Sequence, residues 1–495
     1  MTRSQSGLHA CAGQTRRDRC RQLQIRRARV HPYAGLAKID ALATSDVLAK
    51  GFPISSLHQM RKLYMPDKSL TSPGAPINAA RLQGMMDKVS TFGGGPDGSM
   101  TRLTLSRQDG AARDWLASWF ADNGFVQLVD AIGNQFGAME LAGANAPVVM
   151  VGSHLDSQPN GGRFDGALGV ISACEAILAV KERLKANNRL SACNFKVANW
   201  TNEEGARFQP SLLGSSVFTG AAELDWALDR VDGDGITVRQ SLNDIGYAGK
   251  AKVAIPDALI ELHIEGDSAL FDANEKFGAF TRFWGATKYR LAFLGRQAHT
   301  GATPMADRKD ALLAAAYLIA DLKSISTEHG LDLHTSVGRV EVFPNSPNTV
   351  PAEAVLFIEL RSRLPEILAE AERKMNLRIQ AAAQQAGVGY EVRAIDRRKA
   401  GSFAPGLVAL AEQTASSYGE TTRHLDTIGG HDAVALSDVC PAVVLAVRSR
   451  DGVIHHPTEF TTPEDQVFAT QVLADMLYRL ACDGLKAAQL REDAE

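Results

Sequence analysis

Residues 148–166 read VVMVGSHLDSQPNGGRFDG, and the stretch they open closes at 197–208 with VANWTNEEGARF. The apolar run 148–152 stops at Gly-Ser, the pattern of a buried parallel strand ending in a loop. Just past that end stand His154 and Asp156. Nine residues after Asp156 comes Asp165, set between Gly161-Gly162 and Gly166. Residues 168–184 carry helical periodicity, 195–200 read as a second strand, and Glu203-Glu204 follow its end. Open α/β sheets gather their sites at the carboxyl ends of strands, so these loops are expected to converge. One imidazole and several carboxylates on one rim suit a divalent metal.

Working outward, 77–88 reads as an amphipathic helix and 93–98 as a glycine-rich loop. Residues 109–124 form a helix with a leading Asp and a terminal Gly. Strand-like alternation follows at 125–130 and 134–140. Residues 259–264 (LIELHI) form another apolar strand, with His263 near its end. Between about 278 and 396 the pattern changes. Strand-like runs at 289–294, 336–343 and 354–360 alternate with helical segments at 310–328 and 365–386. Strand–helix–strand–strand–helix–strand is the order of a ferredoxin-like sandwich. From 405 the α/β pattern returns, with a late strand at 443–447 followed by RSRDGVIHHPTEF. The chain therefore divides into an α/β domain of 77–277 and 397–495, interrupted by an insertion at 278–396.

With 495 residues and 45% hydrophobic content the chain is long enough for two globular domains. A net charge of −3 argues against a dedicated nucleic-acid binder or a polybasic membrane binder. No apolar run approaches the roughly 18 residues of a membrane-spanning helix. The six cysteines show no CxxC spacing. They read as reduced thiols of a cytoplasmic enzyme rather than as a disulfide framework or a cysteine zinc site. The first 30 residues hold eight arginines and one aspartate without hydrophobic periodicity. A mitochondrial transit peptide has that composition, but a disordered extension, or an upstream start before Met60 or Met65, is the simpler account. Residues 66–76 are turn-rich, so 1–76 is expected to be an Arg-rich extension and linker, with the folded enzyme starting near Ile77.

Zinc takes imidazole and carboxylate ligands, and catalytic sites leave one position open. The candidates are His154, Asp165, Glu203, Glu204, His263 and one of His455 and His456, each at a strand end or in a turn. Asp165 between glycines is suited to bridge two ions, because backbone can pack close on either side. Asp156, two residues from His154, is in reach to hold its ring. Adjacent side chains on an extended backbone point apart, so of Glu203 and Glu204 one can bind metal while the other faces substrate. A carboxylate there can take a proton from water and hand it to a leaving nitrogen. Taken singly, a strand-end His is usually a polar cap and a Glu-Glu pair a solvated face. Chance is a poor account of GSHLDS, GGRFDG, NEEG and a strand-borne His263 in this order.

Further segments accompany them: ELHIE, GRQAHTGATPMADRKDA (295–311), PNSPNTVP, ELRS, GGHDA and DGVIHHPTE. The set resembles the hydantoinase/carbamoylase amidases, which include N-carbamoyl-L-amino-acid hydrolases, β-ureidopropionases and allantoate or ureidoglycolate amidohydrolases. These are relatives of the dimetal aminoacylases and zinc carboxypeptidases. The likeness spans roughly 77–480. It implies an α/β fold: a dimetal-peptidase-like catalytic domain, a mixed sheet with flanking helices, carrying an inserted ferredoxin-like lid through which relatives dimerise. It also implies two divalent metal ions per subunit, zinc foremost, with manganese, cobalt or nickel acceptable to the same ligands. His154, Asp165 and His263 would hold one ion, and Asp165, Glu204 and His455 the other. His455 is preferred to His456 because it aligns with the histidine of the family's G-I-S-H pattern. Glu203 would be the general base, with Asp156 beside it. His299 would stabilise the oxyanion. Asn348 and Arg361 would hold the substrate, Arg361 as a bidentate clamp on its carboxylate, and His431 with Asp432 would lie near the pocket. Some of the lid groups are expected to serve the neighbouring subunit's site.

The chain also departs from the family pattern. Ureido-hydrolysing relatives continue HIE with Gln-Gly-Pro; here Gly266, Asp267 and Ser268 stand instead. RFWGATKY precedes Gly295 where relatives carry Gln and Arg-Trp-Tyr. Metal and base positions are intact while part of the specificity shell is rewritten. The expected activity is metal-dependent hydrolysis of a linear C–N bond in an N-carbamoyl-L-amino acid or related ureido acid, giving amino acid, carbon dioxide and ammonia. The alternative is an N-acyl-amino-acid or other amide hydrolase using the same machinery. A metal-binding scaffold without turnover would be indicated by loss of Glu203 or of a ligand, and none is lost. The expected partners are a small-molecule substrate and a second copy of the chain, with no nucleic acid and no membrane.

Overall fold

The computed structural model describes residues 74–490; all but the last three positions of the expected extension over 1–76 lie outside the described residues. The chain enters through the helix Ala79–Ser90, where the Asn78 side chain accepts the Arg81 N–H, and the helix Arg107–Asp122, where Ser106 caps in the same way. A hairpin of β1 (Val126–Val129) and β2 (Gln135–Met139) follows. Then come β3 (Val148–His154), β4 (Asn194–Trp200) and β5 (Ala258–Ile264), buried almost throughout, as strands covered on both faces must be. β6 (Phe277–Phe283) leads into the insertion: β7 (Gly285–Leu294), β8 (Ala298–His299), β9 (His334–Phe343), β10 (Thr349–Val350), β11 (Glu353–Ser362) and β12 (Gly389–Arg398). The chain returns through β13 (Gly401–Ser402), β14 (Arg423–Thr427) and β15 (Ala442–Val447).

The large sheet has the order β1-β2-β4-β3-β5-β15-β6-β13, with β14 also on β6. β4, β3, β5 and β15 run parallel, while β2 and β6 flank them antiparallel. The sheet is therefore mixed. Its centre is set by a βαβ unit in which the helix Ala167–Ala186 connects β3 to β4. That helix buries Ile171, Ile177 and Val180 against Val149, Val151 and Val197, and Pro463–Asp483 packs beside it with Val472, Leu473 and Leu477. A second apolar layer covers the other face through Phe136, Met150, Trp200, Phe280 and Val444.

The insertion folds on its own sheet, order β12-β7-β11-β9, antiparallel throughout. Its helices Ala311–His329 and Pro365–Ala386 bury Leu318, Leu322, Met375 and Ile379 against Leu291, Phe293, Leu356 and Ile358. Alternation along β11 turns those residues to the helices and Phe357, Glu359 and Arg361 to the opposite, open face. The strand–helix–strand–strand–helix–strand order is thus the one the sequence pattern suggests.

The boundary differs from the expected 278. Phe277–Phe283 pairs with β15 and β14 in the large sheet, and the small sheet runs from Gly285 to Arg398. Trp284 alone separates β6 from β7, so no turn residue announces the change of sheet. On the return only Lys399 and Ala400 lie between β12 and β13. β13 pairs with β6 just as β12 pairs with β7. Replacing the fully buried Leu318 by Ala should cost about 2–5 kcal/mol, measured by chemical denaturation.

Candidate metal centre and active site

Parallel strands deliver their ends to one rim. His154 closes β3, and in the β3–β5 register His263 on β5 stands level with it, the two rings 6.0 Å apart between centroids. Glu203 and Glu204 lie just past β4. Asp165 arrives in the loop before the helix Ala167–Ala186, and His455 comes from the turn after β15, at φ 57°. Gly166 takes φ 63°, and a Cβ there would overlap the His154 ring, so only glycine lets Asp165 approach so closely.

Asp165 is the meeting point. Its Oδ1 lies 2.9 Å from His263 Nε2 and 3.9 Å from His154 Nε2. Its Oδ2 lies 3.1 Å from His455 Nε2, which is 3.3 Å from Glu204 Oε2. His154, Asp165 and His263 form one set whose ligand atoms all lie within 4.8 Å, and Asp165, Glu204 and His455 form another. The donor chemistry fits a divalent ion in each. His154 Nδ1 donates to the Asp156 carbonyl and His263 Nδ1 to the Ile264 carbonyl, both at 2.8 Å, which aims each Nε2 at the centre. Asp165 is buried with each oxygen turned to an imidazole Nε2, Oδ1 to His263 and Oδ2 to His455, the disposition of a carboxylate shared between two ions. His456 instead turns away to Thr458.

Asp156 serves both the His154 ring and the glutamate loop. The backbone carbonyl of Asp156 holds the His154 ring; its carboxylate stands 3.7 Å from Nδ1 and accepts the Glu203 and Glu204 N–H groups, each at 3.3 Å. The side chain therefore fixes the loop that presents the two glutamates. Glu203 is buried, with Oε2 3.5 Å from His154 Nε2. Other residues here escape a motif reading. Gln158 donates from its backbone N to Glu204 Oε1 and from Nε2 to Oε2, at 3.0 and 2.8 Å. Glu459 accepts the Phe164 and Asp165 N–H groups, at 2.8 and 3.1 Å. Glu261 is fully buried and accepts from Ser153 Oγ and the Ala433 N–H. A carboxylate inside the apolar run LIELHI was the available signal for Glu261, and Glu459 closes the segment DGVIHHPTE, whose histidines drew the reading instead.

The remaining candidates divide. His431 is buried against His263, with centroids 4.5 Å apart. Arg361, on the open face of the small sheet, pairs with Glu359 at 2.9 Å and donates to the Ile428 carbonyl beside a cavity of about 450 Å³. His299 and Asn348 are exposed on the small β8–β10 ladder, and no hydrogen bond or ion pair joins them to the metal-type residues. His299 Nδ1 accepts the Gly301 and Ala302 N–H groups, at 2.9 and 3.1 Å, so its proton resides on Nε2, facing outward.

Residues 150–479 match the model of peptidase family M20/M25/M40. The chain belongs to that family. An N-carbamoyl-L-amino-acid amidohydrolase of Rhizobium meliloti is 32% identical over 80% of this chain and 95% of its own length. An allantoate amidohydrolase of Bacillus subtilis is 29% identical over 79% and 95%. A crystal structure of a hydantoinase/carbamoylase family amidase from Burkholderia vietnamiensis superposes with a TM-score of 0.80 at 32% identity, covering 83% of this chain and all of that one. This M20-family member is a hydrolase of linear amide C–N bonds.

Electrostatics give the centre of this hydrolase its character. Burial, then the nearby Asp432 and Glu204, push the Glu203 carboxyl well above the usual range. Burial alone would lower His263 and His455, but the hydrogen bonds and charge of Asp165, and for His455 also those of Glu204, lift them to about 9 and about 11. Each imidazole thus holds a proton in the metal-free protein at neutral pH, and it must lose that proton before Nε2 can bind a metal ion. Adding zinc should therefore release protons, and affinity should rise with pH by about tenfold per unit per proton released. Calorimetry at pH 7 in buffers of different ionisation heat should read more than one proton released per protein.

Proposed function

We propose that this protein is a metal-dependent amidohydrolase of N-carbamoyl-L-amino acids or related ureido acids, releasing amino acid, carbon dioxide and ammonia. The observation that carries the reading is Glu203, a buried carboxylate beside a rim whose shared ligand, Asp165, turns one oxygen to His263 and the other to His455. The relatives named for N-carbamoyl amino acids and allantoate support the ureido class. Two divalent ions, zinc foremost with manganese, cobalt or nickel as alternatives, would be held by His154, Asp165 and His263 and by Asp165, Glu204 and His455. Bound there, they supply the Lewis acidity that polarises a carbonyl and brings the pKa of water from about 15.7 to ~7.

Glu203 takes a proton from the attacking water as the new C–O bond forms at the ureido carbon, and returns it to the leaving nitrogen as the C–N bond breaks. The carbamate product divides into carbon dioxide and ammonia, so one water is consumed in all. Asp156 keeps Glu203 in place through the backbone. His299, protonated on Nε2, is the donor for the oxyanion, with Asn348 and Arg361 as substrate ligands and His431 lining the pocket. Since His299 and Asn348 stand away from the metal-type residues, residues 285–398 act as a lid and as the surface of a homodimer. The edge strand β9, with Val340 and Phe343 exposed, supports that pairing. Among the described residues Cys174, Cys440 and Cys482 stand as thiols, which favours the reducing cytoplasm.

An acyl-amide reading keeps one support: Gly266 stands where ureido-hydrolysing relatives carry glutamine, so that side chain is not offered to a ureido group here. Chelator-sensitive ammonia release from N-carbamoyl amino acids is expected; carboxylic acid release from N-acyl substrates alone would select the other reading. Glu203→Gln should retain metal, checked by elemental analysis, and lose roughly 10²–10⁴-fold in turnover. A variant with near-normal kcat would remove Glu203 as the base.

A further inference from the structure

The open face of the small sheet holds a cation with donors to spare next to the reaction rim. There β7, β11 and β12 present Lys288, Arg361 and Arg398, with Ala286 in register between the two arginines. Strands two apart are separated by about 10 Å, and the small alanine leaves both guanidinium arms room to converge. Two carboxylates lie among these cations. Glu359 is 3.4 Å from Lys288 Nζ and 2.9 Å from Arg361 Nη2, and Asp396 is cross-strand from Lys288. Lys288 also donates to Ser211 Oγ at 2.8 Å, and Arg361 to the Ile428 carbonyl.

Arg398 is placed otherwise. A 3.4 Å contact with the Gly429 carbonyl engages Nη2, while Nε is shut off from water with no acceptor. A methyl group on Gly430 would stand 3.2 Å from Arg398 Nη1 and 3.7 Å from Glu203 Oε1, so the guanidinium faces the base across a bare glycine. Burial and then Arg361 push Arg398 down to about 10, and burial also lowers Lys288. Cations that depress one another are relieved when an anion enters, and a guanidinium with an unfilled donor offers a carboxylate a two-pronged seat.

We propose that Arg398, supported by Lys288, holds a second carboxylate of the substrate, so that the preferred ureido acid carries an acidic side chain besides the carboxylate assigned to Arg361. The inference rests on the ureido-acid reading above. A neutral side chain would leave Arg398 Nε buried and unpaired, which is how a polar pocket rejects a near-isostere.

The test compares two near-isosteric substrates, N-carbamoyl-L-glutamate and N-carbamoyl-L-glutamine, with metal-replete wild type, R398Q and R398K. Wild type should favour the glutamate compound in kcat/KM by tenfold or more, chiefly through KM. R398Q should bring that ratio near one, and R398K should restore part of it. A companion calorimetric titration compares glutarate with its monoamide, which needs no turnover. Glutarate should bind wild type at least tenfold tighter, and R398Q should lose the difference. Ammonia released from both substrates without discrimination, or equal loss on both in R398Q, would overturn the second-carboxylate site and leave the ureido reading intact. A glutarate preference that depends on Arg398, with no ammonia from either compound, would uphold the site and overturn the ureido reading.

Discussion

The sharing of one buried carboxylate, Asp165, between imidazoles from two different parts of the fold is the constraint on which the rest depends. Around it the chain buries further acids, among them Asp156, Glu203, Glu261, Asp432 and Glu459. Gathering so many carboxyl groups away from water is costly unless cations or hydrogen bonds compensate. Backbone amides satisfy part of that demand, at Glu459 and Asp156 above all. The remainder is the physical pressure for divalent ions at this rim. It explains why Gly166 cannot carry a side chain and why His455 adopts left-handed backbone to reach inward.

The scaffold meets that constraint by division of labour. The parallel strands β3, β4 and β5, covered on both faces, fix the positions at which His154, the glutamate loop and His263 emerge. Burial on both faces leaves these strands little freedom to shift, so ligand spacing is inherited from strand spacing. The small sheet has one face committed to its helices and leaves the other for charged groups. Chemistry on rigid strand ends with recognition on a separate sheet would let one bond-breaking centre serve many substrates.

Much of this was legible in the sequence. Apolar runs ending at GSHLDS and in LIELHI mark strands whose ends carry histidines, and GGRFDG announces a close backbone approach. The helix 365–386 was readable to the residue because Pro opens it and Gly closes it. Less legible was anything decided by tertiary contact. The sheet change at Trp284 has no local signature. The second role of Asp156, whose carboxylate accepts N–H groups of the glutamate loop, depends on a segment 47 residues away. Arg398 carries no motif, and Glu459 ends one without a role being readable there; their neighbours are assembled from distant segments. The segments carrying His299 and Asn348 lie side by side, the Thr300 N–H donating to the Asn348 carbonyl, and stand apart from the rim.

The paired crossing between the two sheets has a mechanical consequence. Because β6 continues into β7 through a single residue, and β12 returns to β13 through two, the junction is a two-stranded ribbon rather than a pair of loose tethers. A hydrogen-bonded ribbon flexes easily out of its plane but resists shear and in-plane rotation. Any displacement of the inserted sheet would have to pass through this ribbon. Arg361 and Arg398 are both registered on Ala286, so such a displacement would carry them together.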